Sequence, residues 1–68
     1  MIRAPITGNV WQLNAVPGDS VRAGDVVAVL ESMKLEIPIE AEADGTIREV
    51  MVSVGELVTE GQILFAVD

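Results

Sequence analysis

The chain has 68 residues, half of them apolar, and a net charge of −7 from eleven acids against four basic side chains. That size allows one small domain near the lower limit for a self-sufficient core, and with neither cysteine nor histidine there is no disulfide or zinc site to staple it. The charge argues against a binder of nucleic-acid backbone or of an anionic membrane surface, and the longest unbroken apolar runs, such as Val26 to Leu30, are far too short to span a bilayer.

In chain order, Met1-Ile-Arg-Ala-Pro5 has no apolar signal-peptide core, so the expected setting is cytosolic, either as a free chain or as a piece of a larger cytosolic protein. The segment from Gly8 to Gly18 reads as a strand whose apolar positions Val10, Leu13 and Ala15 are spaced by three, then two. That break in alternation predicts a bulge or sharp twist after Val10. Gly18-Asp-Ser-Val-Arg-Ala-Gly24 predicts tight turns around a very short strand, with glycines that permit φ > 0. Val26 to Leu30 is a short β-rich run. Leu35, Ile37, Ile39 and Ala41 alternate with Glu36, Pro38, Glu40 and Glu42, which predicts a strand with one dry face and one wet one. Pro38 has no N–H and belongs on the outer face, where no ladder bond is donated.

The remainder repeats what precedes it. Gly8, Gly18 and Gly24 recur as Gly45, Gly55 and Gly61, always 37 residues later, and these are all six glycines of the chain. Val10, Leu13 and Ala15 match Ile47, Val50 and Val52, so a second bulge is expected after Ile47. Asp25 to Glu31 matches Gln62 to Asp68, and Ala4 matches Ala41. Neither half is large enough to bury its own apolar face. The predicted architecture is all-β: a flattened eight-strand barrel or sandwich of two four-stranded sheets with an internal pseudo-two-fold repeat. Residues 1–68 form a single domain on this reading, with halves of about 4–31 and 41–68 joined by a hairpin over 31–40. By the symmetry of the repeat, that hairpin lies at the end opposite Met1 and Asp68.

The one lysine of the chain, Lys34, stands in this connection, within Glu31-Ser-Met-Lys-Leu-Glu36. A two-residue hairpin turn favours glycine or asparagine. Here Met33 and Lys34 must take the centre, so side-chain identity matters more than turn chemistry. Seen alone, a loop lysine is an ordinary surface charge. Its uniqueness, its position at the midpoint of the repeat and its apolar flanks single it out. A Schiff-base lysine needs a desolvated pocket; a tip beside Glu31 and Glu36 offers a solvated, protonated amine. Such an amine suits acceptance of a group from another enzyme, which deprotonates it in its own active site.

Ala4-Pro-Ile-Thr-Gly8, Gly18-Asp-Ser-Val-Arg-Ala-Gly24, Glu31-Ser-Met-Lys-Leu-Glu36 and Ala43-Asp-Gly-Thr-Ile47 together resemble the biotinyl/lipoyl attachment domains, over nearly the whole chain. The resemblance implies a barrel-sandwich hybrid with the modified lysine at a hairpin tip. Met33-Lys34 is similar to the biotinyl motif, in which the lysine usually stands between two methionines; Leu35 departs from the second. The gap-free match of the halves leaves no room for an extra thumb loop, so the likeness is to thumbless biotin carboxyl carriers. It implies covalent biotin on Lys34, attached by a biotin protein ligase, with Met33, Leu35, Glu31 and Glu36 as recognition residues. A carboxyl group would then pass between biotin carboxylase and carboxyltransferase components. A lipoyl carrier, or a dual biotin and lipoate acceptor, is the alternative, and a non-modified structural barrel module is a second; the lysine motif argues against the latter.

Neither catalytic nor metal-binding residues are expected. There is no histidine, cysteine or tyrosine, and Glu40 and Glu42 read as a solvated strand face. The isolated domain is expected to be monomeric. Trp11, matched by Arg48, is expected to pack in the core or at its rim, with a partner contact as the alternative. Asp19 and Glu56 are expected to accept backbone N–H groups in their turns.

Overall fold

A computed structural model describes residues 1–68. Eight strands follow in order: β1 (Ile2–Arg3), β2 (Gly8–Leu13), β3 (Ser20–Val21), β4 (Val26–Ser32), β5 (Leu35–Glu40), β6 (Gly45–Val50), β7 (Leu57–Val58) and β8 (Ile63–Val67). They form two four-stranded sheets, ordered β1-β8-β6-β3 and β5-β4-β2-β7. The pairings are all antiparallel. No helix is long and apolar enough to cross a membrane.

The repeat governs this topology. Moved by 37 residues, β2, β3 and β4 become β6, β7 and β8, and β1 falls on the end of β5. Each sheet therefore takes its two long central strands from one half and one short edge strand, β3 or β7, from the other, while β1 and the hairpin strand β5 close the remaining edges. The relation reaches past Ala4 and Ala41 to Ile2 and Ile39, which are both buried. Backbone bonds between the halves come in matched pairs. Gly18 N–H donates to the Ile47 carbonyl (2.8 Å), and Gly55 N–H donates to the Val10 carbonyl (2.7 Å). Ile47 N–H in turn donates to the Asp19 carbonyl (2.8 Å), and Val10 N–H donates to that of Glu56 (2.8 Å). Gly18 and Gly55 hold φ of 97° and 91°, a region costly for any other residue.

Both expected bulges are present. The β2–β4 register shifts between Val10 and Gln12, and the β6–β8 register shifts between Ile47 and Glu49. The extra residues are Trp11 and Arg48. Without the shift, strict alternation would send Leu13 and Val50 away from the core. With it they pack against a buried cluster of 15 residues that includes Val10, Leu30, Ile47, Leu64 and Phe65. Pro38 lies exposed on the edge strand β5, where its missing N–H breaks no ladder. Trp11 is a rim residue, 48% exposed.

Four carboxylates act inside turns. Asp19 accepts from Val16 N–H (3.0 Å), and its repeat partner Glu56 accepts from Ser53 N–H (3.1 Å). Asp25 accepts from Arg22 N–H (2.9 Å), a role that Gln62 takes toward Thr59 N–H (3.1 Å) in the other half. Asp44 accepts from Ala23 N–H (2.9 Å), matched by Thr7 Oγ1 and Glu60 N–H (3.2 Å). Part of the acid excess is thus turn chemistry as well as surface charge.

Candidate carrier hairpin

The β4–β5 hairpin is built by register. Leu30 pairs with Ile37, Glu31 with Glu36, and Ser32 with Leu35. Two residues remain to reverse the chain, Met33 at φ 52° and Lys34 at φ 66°. These are the only positive-φ residues other than glycine. Positive φ at both central positions is the twist that a two-residue hairpin requires. It disfavours side chains that carry a Cβ, by roughly 1–2 kcal/mol per residue.

Side-chain direction follows from the pairing. Leu30, Ile37 and Ile39 face the core. Ser32 and Leu35 share that direction but lie beyond the core's edge, leaving Leu35 66% exposed. Glu31 and Glu36 point the other way and meet as a like-charged cross-strand pair just beneath the turn. Met33 is 92% exposed, and Lys34 is exposed with neither an ion pair nor a side-chain hydrogen bond. All five residues singled out in the sequence therefore cluster within one hairpin end. They surround an amine held by its backbone rather than by its side-chain contacts.

The chain ends lie elsewhere. Met1, Arg3, Glu40, Glu42, Asp44 and Asp68 line a cleft of about 310 Å³ at the base of β5. Lys34 is six residues from Glu40 along the hairpin, about 20 Å at strand rise. Sequence reasoning passes over one supporting residue, Gly8. It packs against the backbone of Glu31, and a Cβ there would stand 2.8 Å from the Glu31 oxygen. A glycine inside a strand is the available signal for such an approach.

Comparison with known proteins places this geometry in a family. The biotin/lipoyl family model, described as "Biotin-requiring enzyme", matches residues 1–67. The chain belongs to the biotin/lipoyl attachment family. Among its relatives in that family, the chain is 44% identical over 59 residues to a biotin/lipoyl attachment protein of Bacillus subtilis (strain 168), covering 87% of this chain and 81% of that one. It is 40% identical over 63 residues to the biotinylated protein TB7.3 homolog of Mycobacterium leprae, covering 93% and 89%. The same identity and length relate it to the alpha3 subunit of a biotin-dependent acyl-coenzyme A carboxylase of M. leprae, of which it spans 10%.

Solved structures of this attachment fold agree. The urea carboxylase of Kluyveromyces lactis superposes with a TM-score of 0.92 at 29% identity, over all of this chain and 6% of that one. The lipoyl domain of the 2-oxoglutarate dehydrogenase complex from Azotobacter vinelandii superposes with a TM-score of 0.79 at 25% identity, over all of this chain and 96% of that one.

Proposed function

We propose that residues 1–68 form one biotin carrier domain and that Lys34 Nζ is its attachment point. One observation carries this reading: the one lysine of the chain takes the second central position of a tight turn, solvent-exposed and unpaired, at the end of the body away from both termini. A turn built for stability would use asparagine and glycine there. In the proposed modification, a biotin protein ligase activates the biotin carboxyl with ATP. The ligase takes one proton from the Lys34 ammonium, and the freed Nζ attacks that carbonyl. The C–N amide bond forms as the acyl C–O bond to the activating phosphate ester breaks, that ester leaves, and the second amine proton passes to the ligase.

Bound biotin would supply a nitrogen that accepts and releases a carboxyl group at the end of a flexible arm. The chain supplies presentation. The turn fixes where the arm is rooted, and the sheets beneath keep that root in place while biotin carboxylase and carboxyltransferase components engage it. Tethering raises the effective concentration at both sites without adding a catalytic group to the domain. Met33 and Leu35 give a ligase two exposed apolar contacts beside the amine, and Glu31 and Glu36 add negative charge behind it. A cytosolic setting belongs to this reading.

Lipoate on the same amine is the second reading, favoured by the end-to-end likeness to a lipoyl domain. Met33 before the lysine favours biotin. Incubation with ATP and either biotin plus biotin ligase or lipoate plus lipoate ligase, followed by intact mass, separates the two. The wild type is expected to gain one biotinyl group, and Lys34→Arg none. A wild type that stays unmodified with biotin ligase, or a Lys34→Arg chain that is still modified, overturns the assignment.

A further inference from the structure

The duplication supplies a comparison inside the molecule. Residues 37 apart occupy the same backbone twice, so where exposed partners differ, the backbone does not demand the difference. The two bulges show this best. In the β6 bulge the extra residue is Arg48, ion-paired to Asp68 (3.2 Å) with both side chains mostly exposed. In the β2 bulge the extra residue is Trp11, half exposed. The short edge strands differ in the same sense. Ser20 opens β3 and pairs with Thr46, whereas Leu57 opens β7, pairs with Asn9 and is 63% exposed. One outer sheet face is polar where the other carries an indole and a leucine.

That apolar face leads toward the hairpin. Leu57, Asn9, Glu31 and Glu36 form one row across β7, β2, β4 and β5. Trp11 stands two residues from Asn9 on β2, a diagonal neighbour of Leu57. Leu57 is two strands from β4, about 10 Å sideways. A standard interface of about 800 Å² per partner, centred on the turn, takes in that distance.

A second copy of this chain is a poor occupant, because the row ends in two carboxylates and each copy carries −7. A partner with an apolar pocket bordered by arginine or lysine fits both the patch and its rim. The reach of Lys34 narrows the choice. A lysine side chain is short, so an enzyme that acylates Nζ must press its surface against the flanks of the turn. An enzyme that works on the far end of an attached arm need not.

We propose that the outer face of the β5-β4-β2-β7 sheet, through Trp11 and Leu57, is the docking surface by which the ligase that acylates Lys34 orients this domain. The proposal rests on the carrier reading above. The repeat supplies the variants: Trp11→Arg and Leu57→Ser install the residues that the other half already holds in the same backbone setting. Steady-state biotinylation with a biotin protein ligase, biotin and ATP is measured for wild type, each single variant, the double variant and Arg48→Ala, with circular dichroism melts confirming the fold.

The expected result is a rise in KM of about tenfold or more for the double variant, with kcat little changed, Arg48→Ala as wild type, and a wild-type KM that rises with salt. Should Trp11→Arg destabilise the chain, Leu57→Ser alone is expected to raise KM several-fold. Wild-type kinetics in folded variants, an equal loss in Arg48→Ala, or a wild-type dimer on gel filtration that Trp11→Arg makes monomeric overturns the proposal. A wild type that accepts no biotin sinks the carrier reading and this proposal with it. Modified wild type with unaffected variants sinks this proposal alone.

Discussion

Gly8 rests against Glu31 so closely that a Cβ on it would lie 2.8 Å from the Glu31 carbonyl oxygen and 3.5 Å from the Ser32 Cβ. The first contact is with backbone of the strand that leads into the turn, so relief requires moving β4. Gly8→Ala is expected to destabilise the fold by about 1–3 kcal/mol and to speed amide exchange at Ser32 and Leu35. Gly45, its repeat partner, is as crowded: a Cβ there would lie 2.6 Å from Val67 Cγ1 and 2.7 Å from the Asp68 oxygen. Gly45→Ala should lose comparable stability in urea titrations yet leave exchange in the hairpin unchanged. Equal exchange effects from both variants would show that the crowding is not local.

The turn makes the opposite prediction for stability. Met33→Asn with Lys34→Gly places favoured residues at the two positive-φ positions. The double variant should be more stable than wild type by about 1–3 kcal/mol, read as a higher Tm. It should also accept no biotin. A Tm that is unchanged or lower would mean that Met33 and Lys34 are not strained where they sit.

Phe65 and Leu30 are fully buried in the central cluster. Truncation removes their packing and leaves a cavity, so Phe65→Ala is expected to lose about 3–5 kcal/mol and Leu30→Ala about 2–5 kcal/mol. A domain of this size has little more than that in reserve. Both variants should be largely unfolded by circular dichroism at 37 °C, and both should fail as ligase substrates despite an intact Lys34.

Charged residues separate into two groups. Asp19 and Glu56 hold turn N–H groups, and replacing either by alanine should lose about 0.5–1.5 kcal/mol in urea titrations. Arg48 pairs with Asp68 in the open, and Arg48→Ala should fall within about 0.5 kcal/mol of wild type. Reversed magnitudes would mean that the exposed ion pair, rather than the turn acceptors, anchors the loops.

Much of this was legible in the residues because the duplication writes each constraint twice. Six glycines at one offset revealed the repeat, and the spacing of Val10, Leu13 and Ala15 foretold the bulge that Ile47, Val50 and Val52 then confirm. Met33 and Lys34 could be placed in the turn because the flanking alternation left no other residues for it. The exchange of edge strands was less accessible. Ser20-Val21 and Leu57-Val58 are too short to carry a partner preference, and their pairing with β6 and β2 emerges only once both sheets exist. The match of Ile2 to Ile39 was hidden because the hairpin reads as an insertion between the halves. Trp11 aligned with Arg48 from the outset, and of the expected core or rim positions it takes the rim.

The exchanged edge strands have a thermodynamic consequence. A half-length peptide would find the strands that complete its sheet only in another molecule, so its folding would be second order and would fade on dilution. Joined head to tail, the halves become one unimolecular system. The amine at the junction then keeps its pose however scarce the polypeptide.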